Sequence, residues 1–162
     1  MKIGSTFSPL AVCAVRDAVL YHERLLQSET LRNRADYEEY AVDLSVFLDE
    51  IKHRYKKIEA NLKIPLDAFF DADVPTVAYR HTDGDIQNEE VSLDISDAYA
   101  PLLVSSVRDA ILYRESLMQN HHPCDQGEYL AQLKELLTSV KLEYKKVESK
   151  VGISLEKILH SS

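Results

Sequence analysis

Val15-Arg16-Asp17-Ala18-Val19-Leu20-Tyr21 recurs as Val107-Arg108-Asp109-Ala110-Ile111-Leu112-Tyr113, with a single aliphatic exchange. Working outward, the match runs from Ile3/Ile95 through Pro9/Pro101 and Glu23/Glu115 to Gln27/Gln119, always 92 residues apart. Further on the spacing is 89: Tyr55-Lys56-Lys57-Ile58 matches Tyr144-Lys145-Lys146-Val147, and Tyr40, Leu44 and Leu48 match Tyr129, Leu133 and Leu137. The change of spacing falls between Gln27 and Tyr40, where a loop between helices is expected and length change is tolerated. The chain therefore reads as one domain, 1–162, made of repeat 1 (about 3–70), a connector (71–98) and repeat 2 (about 99–160).

Within each repeat the apolar residues recur at helical spacing. Ser8 as N-cap and Pro9 in the first turn predict a helix from Pro9 to about Ser28. Its apolar sector holds Leu10, Ala14, Val15, Ala18 and Leu25, while Arg16, Asp17, Glu23 and Arg24 fill the opposite sector. A stripe of Tyr37, Tyr40, Leu44, Leu48, Ile51, Tyr55 and Leu62 predicts a second helix from about Arg34 to Leu62. The third starts at Pro101, and the fourth carries Tyr129, Leu133, Leu137, Val140 and Tyr144. Short accessory helices are expected at Pro65–Phe70 and Ser154–Leu159, the latter after Gly152 stops the fourth helix. Helices this long are stable only when packed. Two matched hairpins bury their faces best as an all-α, pseudo-twofold four-helix bundle. In the connector, Asp83-Gly84 between Thr76–Tyr79 and Val91–Ile95 permits a small β-hairpin.

With 162 residues, 45% of them hydrophobic and 28% charged, the chain suits a single domain with a sizeable core. No apolar run is long enough for a bilayer, so no membrane partner is expected. Cys13 and Cys124 occupy unmatched positions, which suits two reduced thiols and a cytoplasmic setting. The net charge is −8, and residues 71–98 carry nearly all of it, with eight acids against Arg80 alone.

Four constellations are candidates for function. The repeated charged set Arg16, Asp17 and Glu23 with Arg108, Asp109 and Glu115 reads as a duplicated partner-binding surface. His22 and Arg114 sit near the middle of their helices' apolar sectors, where a polar group needs a partner. Equal depth in the hairpin points to Tyr40 and Tyr129, and to a polar pocket near the hairpin tips. Lys56, Lys57, Lys145 and Lys146 close the second and fourth helices. In an up-down bundle they gather at one end, where they complement helix dipoles or bind an anion or nucleic acid. His121, His122 and Cys124 are weak metal candidates, since repeat 1 has neither His nor Cys in the matching loop. Glu50-x-x-His53 has metal-ligand spacing, but Ser139 and Leu142 stand at its repeat positions.

Arg16 and His22, an Arg-x5-His with Asp17 after the arginine, resembles the motif of all-α ribonucleases of the HEPN class. The resemblance implies RNA cleavage by that pair. On a regular helix, however, the two side chains point about 120° apart. No phosphate loop, nucleophile–base pair or complete ligand set stands out. The sequence thus points to a non-enzymatic helical interaction protein: an adaptor, regulator or inhibitor with no cofactor and a protein partner. Tyrosine-rich apolar faces leave room for a homodimer. The alternatives are a HEPN-like ribonuclease, a metal-dependent phosphohydrolase, or nucleic-acid binding at the basic end.

Overall fold

The computed structural model describes residues 1–70, 92–120 and 126–160. The protein is an all-α helical bundle with a two-stranded ribbon at one side. In chain order the elements are β1 (Lys2–Gly4), α1 (Ser8–Leu26), α2 (Arg34–Leu62), a 3-10 turn (Leu66–Ala68), β2 (Ser92–Asp94), α3 (Ala100–Asn120), α4 (Gln126–Val151) and α5 (Leu155–His160). The main packing runs α2 on α1, α1 on α3, and α3 on α4. Helices α1 and α3 therefore form the centre, and α2 and α4 flank them.

That placement follows from composition. From Pro9 to Val15 helix α1 carries no charge, and every residue from Ser8 to Ala18 is buried. A helix that is apolar all round belongs in an interior. The flanking helices are amphipathic: Leu44, Phe47, Ile51 and Tyr55 of α2, and Leu133, Leu136, Val140 and Tyr144 of α4, turn inward.

Helix α2 matches its expected bounds. The expected cap at Ser8 does not form. Ser8 lies inside α1, and its hydroxyl donates backward to the Gly4 carbonyl (2.9 Å), tying the helix to β1. Ser154 does cap α5, accepting the Lys157 N–H at 3.2 Å. The accessory helix expected at Pro65–Phe70 is reduced to the 3-10 turn. The expected hairpin within 71–98 is corrected in part. Its second strand pairs antiparallel with the N-terminal segment, Ile3 opposite Leu93, because the alternating exposed–buried–exposed pattern of Lys2–Gly4 offers a matching edge. Thr76–Tyr79 and Asp83-Gly84 lie outside the described residues.

Several bonds recur at the repeat spacing. The Tyr55 hydroxyl donates to the Ile64 carbonyl (2.7 Å), and that of Tyr144 to the Ile153 carbonyl (2.6 Å). Glu59 accepts the Leu66 N–H (2.8 Å), as Glu148 accepts that of Leu155 (2.7 Å). Lys63 and Gly152 both end their helices in the left-handed region, at φ 58 and φ 82. Each pair fastens the segment after a long helix back onto that helix.

Candidate functional site

The repeated heptapeptide places an arginine–aspartate pair in each central helix. Asp17 of α1 is fully buried. Its carboxylate accepts from Arg114 of α3 at both oxygens (2.9 Å each), from Arg16 (2.9 Å) and from the Tyr129 hydroxyl of α4 (2.8 Å). Asp109 of α3 is 2% exposed. It accepts from Arg108 Nε at 3.0 Å and meets His22 Nε2 of α1 at 2.7 Å. The contacts are reciprocal: each repeat's aspartate binds the basic residue that the other repeat holds five positions further on. Arg16 and Arg108 also donate to the Phe70 carbonyl (2.7 Å) and the Ile158 carbonyl, respectively, so each also braces the end of its own repeat.

Buried carboxylates are tolerable only when paired and hydrogen-bonded, and a bidentate arginine is the strongest such partner. Burial pulls the Arg114 guanidinium down, but its bonds to Asp17 win and leave it raised. Burial pushes the Tyr129 hydroxyl well above 10, and the Asp17 charge adds to that. The buried Cys13 thiol is pushed up to about 12, again first by burial. At neutral pH it is an inert core group.

The two halves differ where Tyr40 and Tyr129 differ. Tyr129 bonds Asp17, whereas the Tyr40 hydroxyl bonds Ser105 of α3. The His22 ring lies 4.8 Å from that of Tyr40, edge-on, and its Nδ1 is buried without a hydrogen-bond partner. Beside this half opens a cleft of about 600 Å³. The end of α1 contributes His22, and the α1–α2 turn contributes Leu31, Arg32 and Asn33. Helix α2 supplies Asp36, Tyr37 and Tyr40; α3 supplies Pro101, Leu102, Ser105 and Arg108. Ile153, Lys157 and Ile158 close the wall from the α5 end.

The His22 ring lies against that of Tyr40 and the Arg114 guanidinium over that of Tyr129, but the two hydroxyls bond Ser105 and Asp17; the polar partners of His22 and Arg114 are the aspartates of the opposite repeat. The structure corrects the reading of Arg16, Asp17, Arg108 and Asp109 as a partner-binding surface. Asp17 and Asp109 are buried, and the arginines are turned onto them. The physical reason is that α1 and α3 are walled on several sides, not one. Of that set, only Glu23 and Glu115 are exposed. Arg16 and His22 do not converge on one point; they bind different aspartates.

Lys56, Lys145 and Lys146 each face a carboxylate of their own helix, Glu59 (3.8 Å), Glu148 (3.3 Å) and Glu143 (3.0 Å). Lys57 is exposed. Glu50 pairs with Arg54 at 2.6 Å. Among the described residues no group of three or more His, Cys, Asp or Glu is placed to hold a metal. His121, His122 and Cys124 lie outside the described residues. Among the described residues no helix is long and apolar enough to cross a membrane. Sequence reasoning missed Ser105, Arg32 and Lys157, which become neighbours only through packing. No family model, curated protein or solved structure matches the chain.

Proposed function

We propose that this chain is a non-catalytic binding protein, an adaptor or regulator, whose recognition site is the cleft between the α1–α2 turn, the start of α3 and α5. The duplicated charged pairs hold the scaffold rigid; the cleft meets the partner. The observation that carries this reading is the cleft itself. Its volume is within the range of ligand sites, and its lining mixes aromatic and aliphatic side chains with polar and charged ones in equal share. The state of the reactive groups supports it. Asp17, Asp109 and Tyr129 are committed to internal bonds, and Ser105 bonds Tyr40 and the Leu102 carbonyl rather than His22. A dyad for phosphodiester cleavage needs both groups at one phosphate, and Arg16 and His22 serve separate carboxylates.

The test is affinity capture of the wild-type chain and of Ile153→Asp from the native host. Ile153 lines the cleft, is 38% exposed and lies outside the buried core, and far-UV helicity of the variant checks that the fold is kept. A stoichiometric companion on the wild type, lost on the variant, supports the reading. RNA or phosphoester turnover that disappears in His22→Ala while helicity is kept overturns it.

A further inference from the structure

The cleft's charges say more about its occupant. Arg32 and Lys157 line it from opposite sides of the chain, one on the α1–α2 turn and one on α5. Both are exposed, and neither forms an ion pair among the described residues. Arg108 also lines the cleft, but its charge is matched by Asp109. Asp36 is the lone acid in the lining. The balance is one positive charge, carried by groups that meet only in the folded chain. Tyr37, Leu102 and Ile153 line the same cleft, a surface suited to a flat or aliphatic body. His22, only 5% exposed, lines the same space and keeps one ring nitrogen without a partner.

Resting on the reading of the cleft as the binding site, we propose that the group it takes from the partner is an amphipathic organic anion: a carboxylate, sulfonate or phosphate ester on an aromatic or aliphatic body. The anionic group sits between Arg32 and Lys157. The body lies against Tyr37, Leu102 and Ile153. A polar substituent at the inner end meets His22. Charge-assisted bonds set orientation, and apolar contact supplies most of the affinity.

The test uses the purified full chain and two probes that share a body: anilinonaphthalene sulfonate, which is anionic, and phenylnaphthylamine, which is neutral. Titration calorimetry and fluorescence follow both. The expected result is saturable one-to-one binding of the sulfonate. In the double variant Arg32→Glu/Lys157→Glu its affinity falls at least about tenfold, the scale of one lost charged hydrogen bond. The neutral probe changes by less than about threefold. The control Lys57→Glu/Lys146→Glu, at two exposed lysines outside the cleft, changes neither. Near-UV circular dichroism of each variant, which reports fixed tyrosine packing, excludes the compact partly unfolded states that also bind this dye. Absence of saturable binding, or a sulfonate affinity indifferent to the charge reversal, overturns the ligand class. If Ile153→Asp still loses its captured companion in that case, the cleft remains the binding site and only its proposed chemistry fails. If the sulfonate binds as expected but no companion depends on Ile153, the ligand class stands without the adaptor reading.

Discussion

Arg114 grips Asp17 through two nitrogens, each 2.9 Å from a carboxylate oxygen, across 97 residues of chain. Both side chains are almost wholly buried. Removing one partner strands the other in the interior, a loss on the order of 3–5 kcal/mol. Asp17→Asn and Arg114→Met should each lower the urea midpoint sharply. The matched pair at Asp109 and His22 has a single bond across the repeats. A double-mutant cycle should therefore find a larger coupling energy at Asp17–Arg114 than at Asp109–His22. Equal couplings would show that the bidentate geometry contributes nothing.

Lys63 ends α2 at φ 58, where Gly152 ends α4 at φ 82. A side chain in that region costs about 1–2 kcal/mol, partly offset by glycine's greater freedom when unfolded. Lys63→Gly is expected to stabilise by about 0.5–1 kcal/mol. Gly152→Ala meets open space, so its cost is backbone strain alone, about 1 kcal/mol in the other direction. Chemical denaturation reads both.

Burial, assisted by Asp109, raises the Tyr40 hydroxyl from 10.0 to about 12, and burial raises Tyr129 well above 10. A folded-state value above the unfolded one means that the folded form keeps protons the unfolded chain has released. The associated stability is complete below pH 10 and is lost as pH rises toward 12 and beyond. The phenolate absorbance owed to Tyr40 and Tyr129, read as the difference between the wild type and Tyr40→Phe or Tyr129→Phe, should thus appear together with loss of helix rather than before it. Tyr129→Phe should flatten this alkaline dependence; ionisation well before unfolding would contradict the burial argument.

The Leu155 N–H, helped by Lys145, holds the Glu148 carboxyl below its ordinary 4.5. The sign is opposite here: the contribution is present above 4.5 and fades as pH falls through the lower folded value. Glu148→Gln should speed amide exchange at Leu155 at neutral pH and remove its acid sensitivity. An unchanged exchange rate would mean that the bond does not fasten α5.

The long helices were legible because apolar residues recur every three or four positions, and α2 falls on its expected bounds. The site was legible in fragments. His22 and Arg114 stood out as polar groups on greasy faces, and hairpin depth gave Tyr40 and Tyr129. Asp17 and Asp109 were misplaced because a helical wheel allows one packed face, whereas α1 is enclosed. The charge-free run Pro9–Val15 was the available signal. Three-residue strands carry too little alternation to reveal their partner, so the Lys2–Gly4 pairing could not be read. The cleft draws on residues from His22 to Ile158, and no local pattern announces such a meeting.

The crossed gripping of the aspartates has a consequence for the chain cut in two. A fragment ending at residue 70 carries Asp17 and His22 but neither Arg114 nor Asp109, and its most enclosed helix faces water. Each fragment alone should be largely unstructured, yet the two should reconstitute the native assembly when mixed. By the same logic, two intact molecules could trade halves and close into an intertwined pair at high concentration.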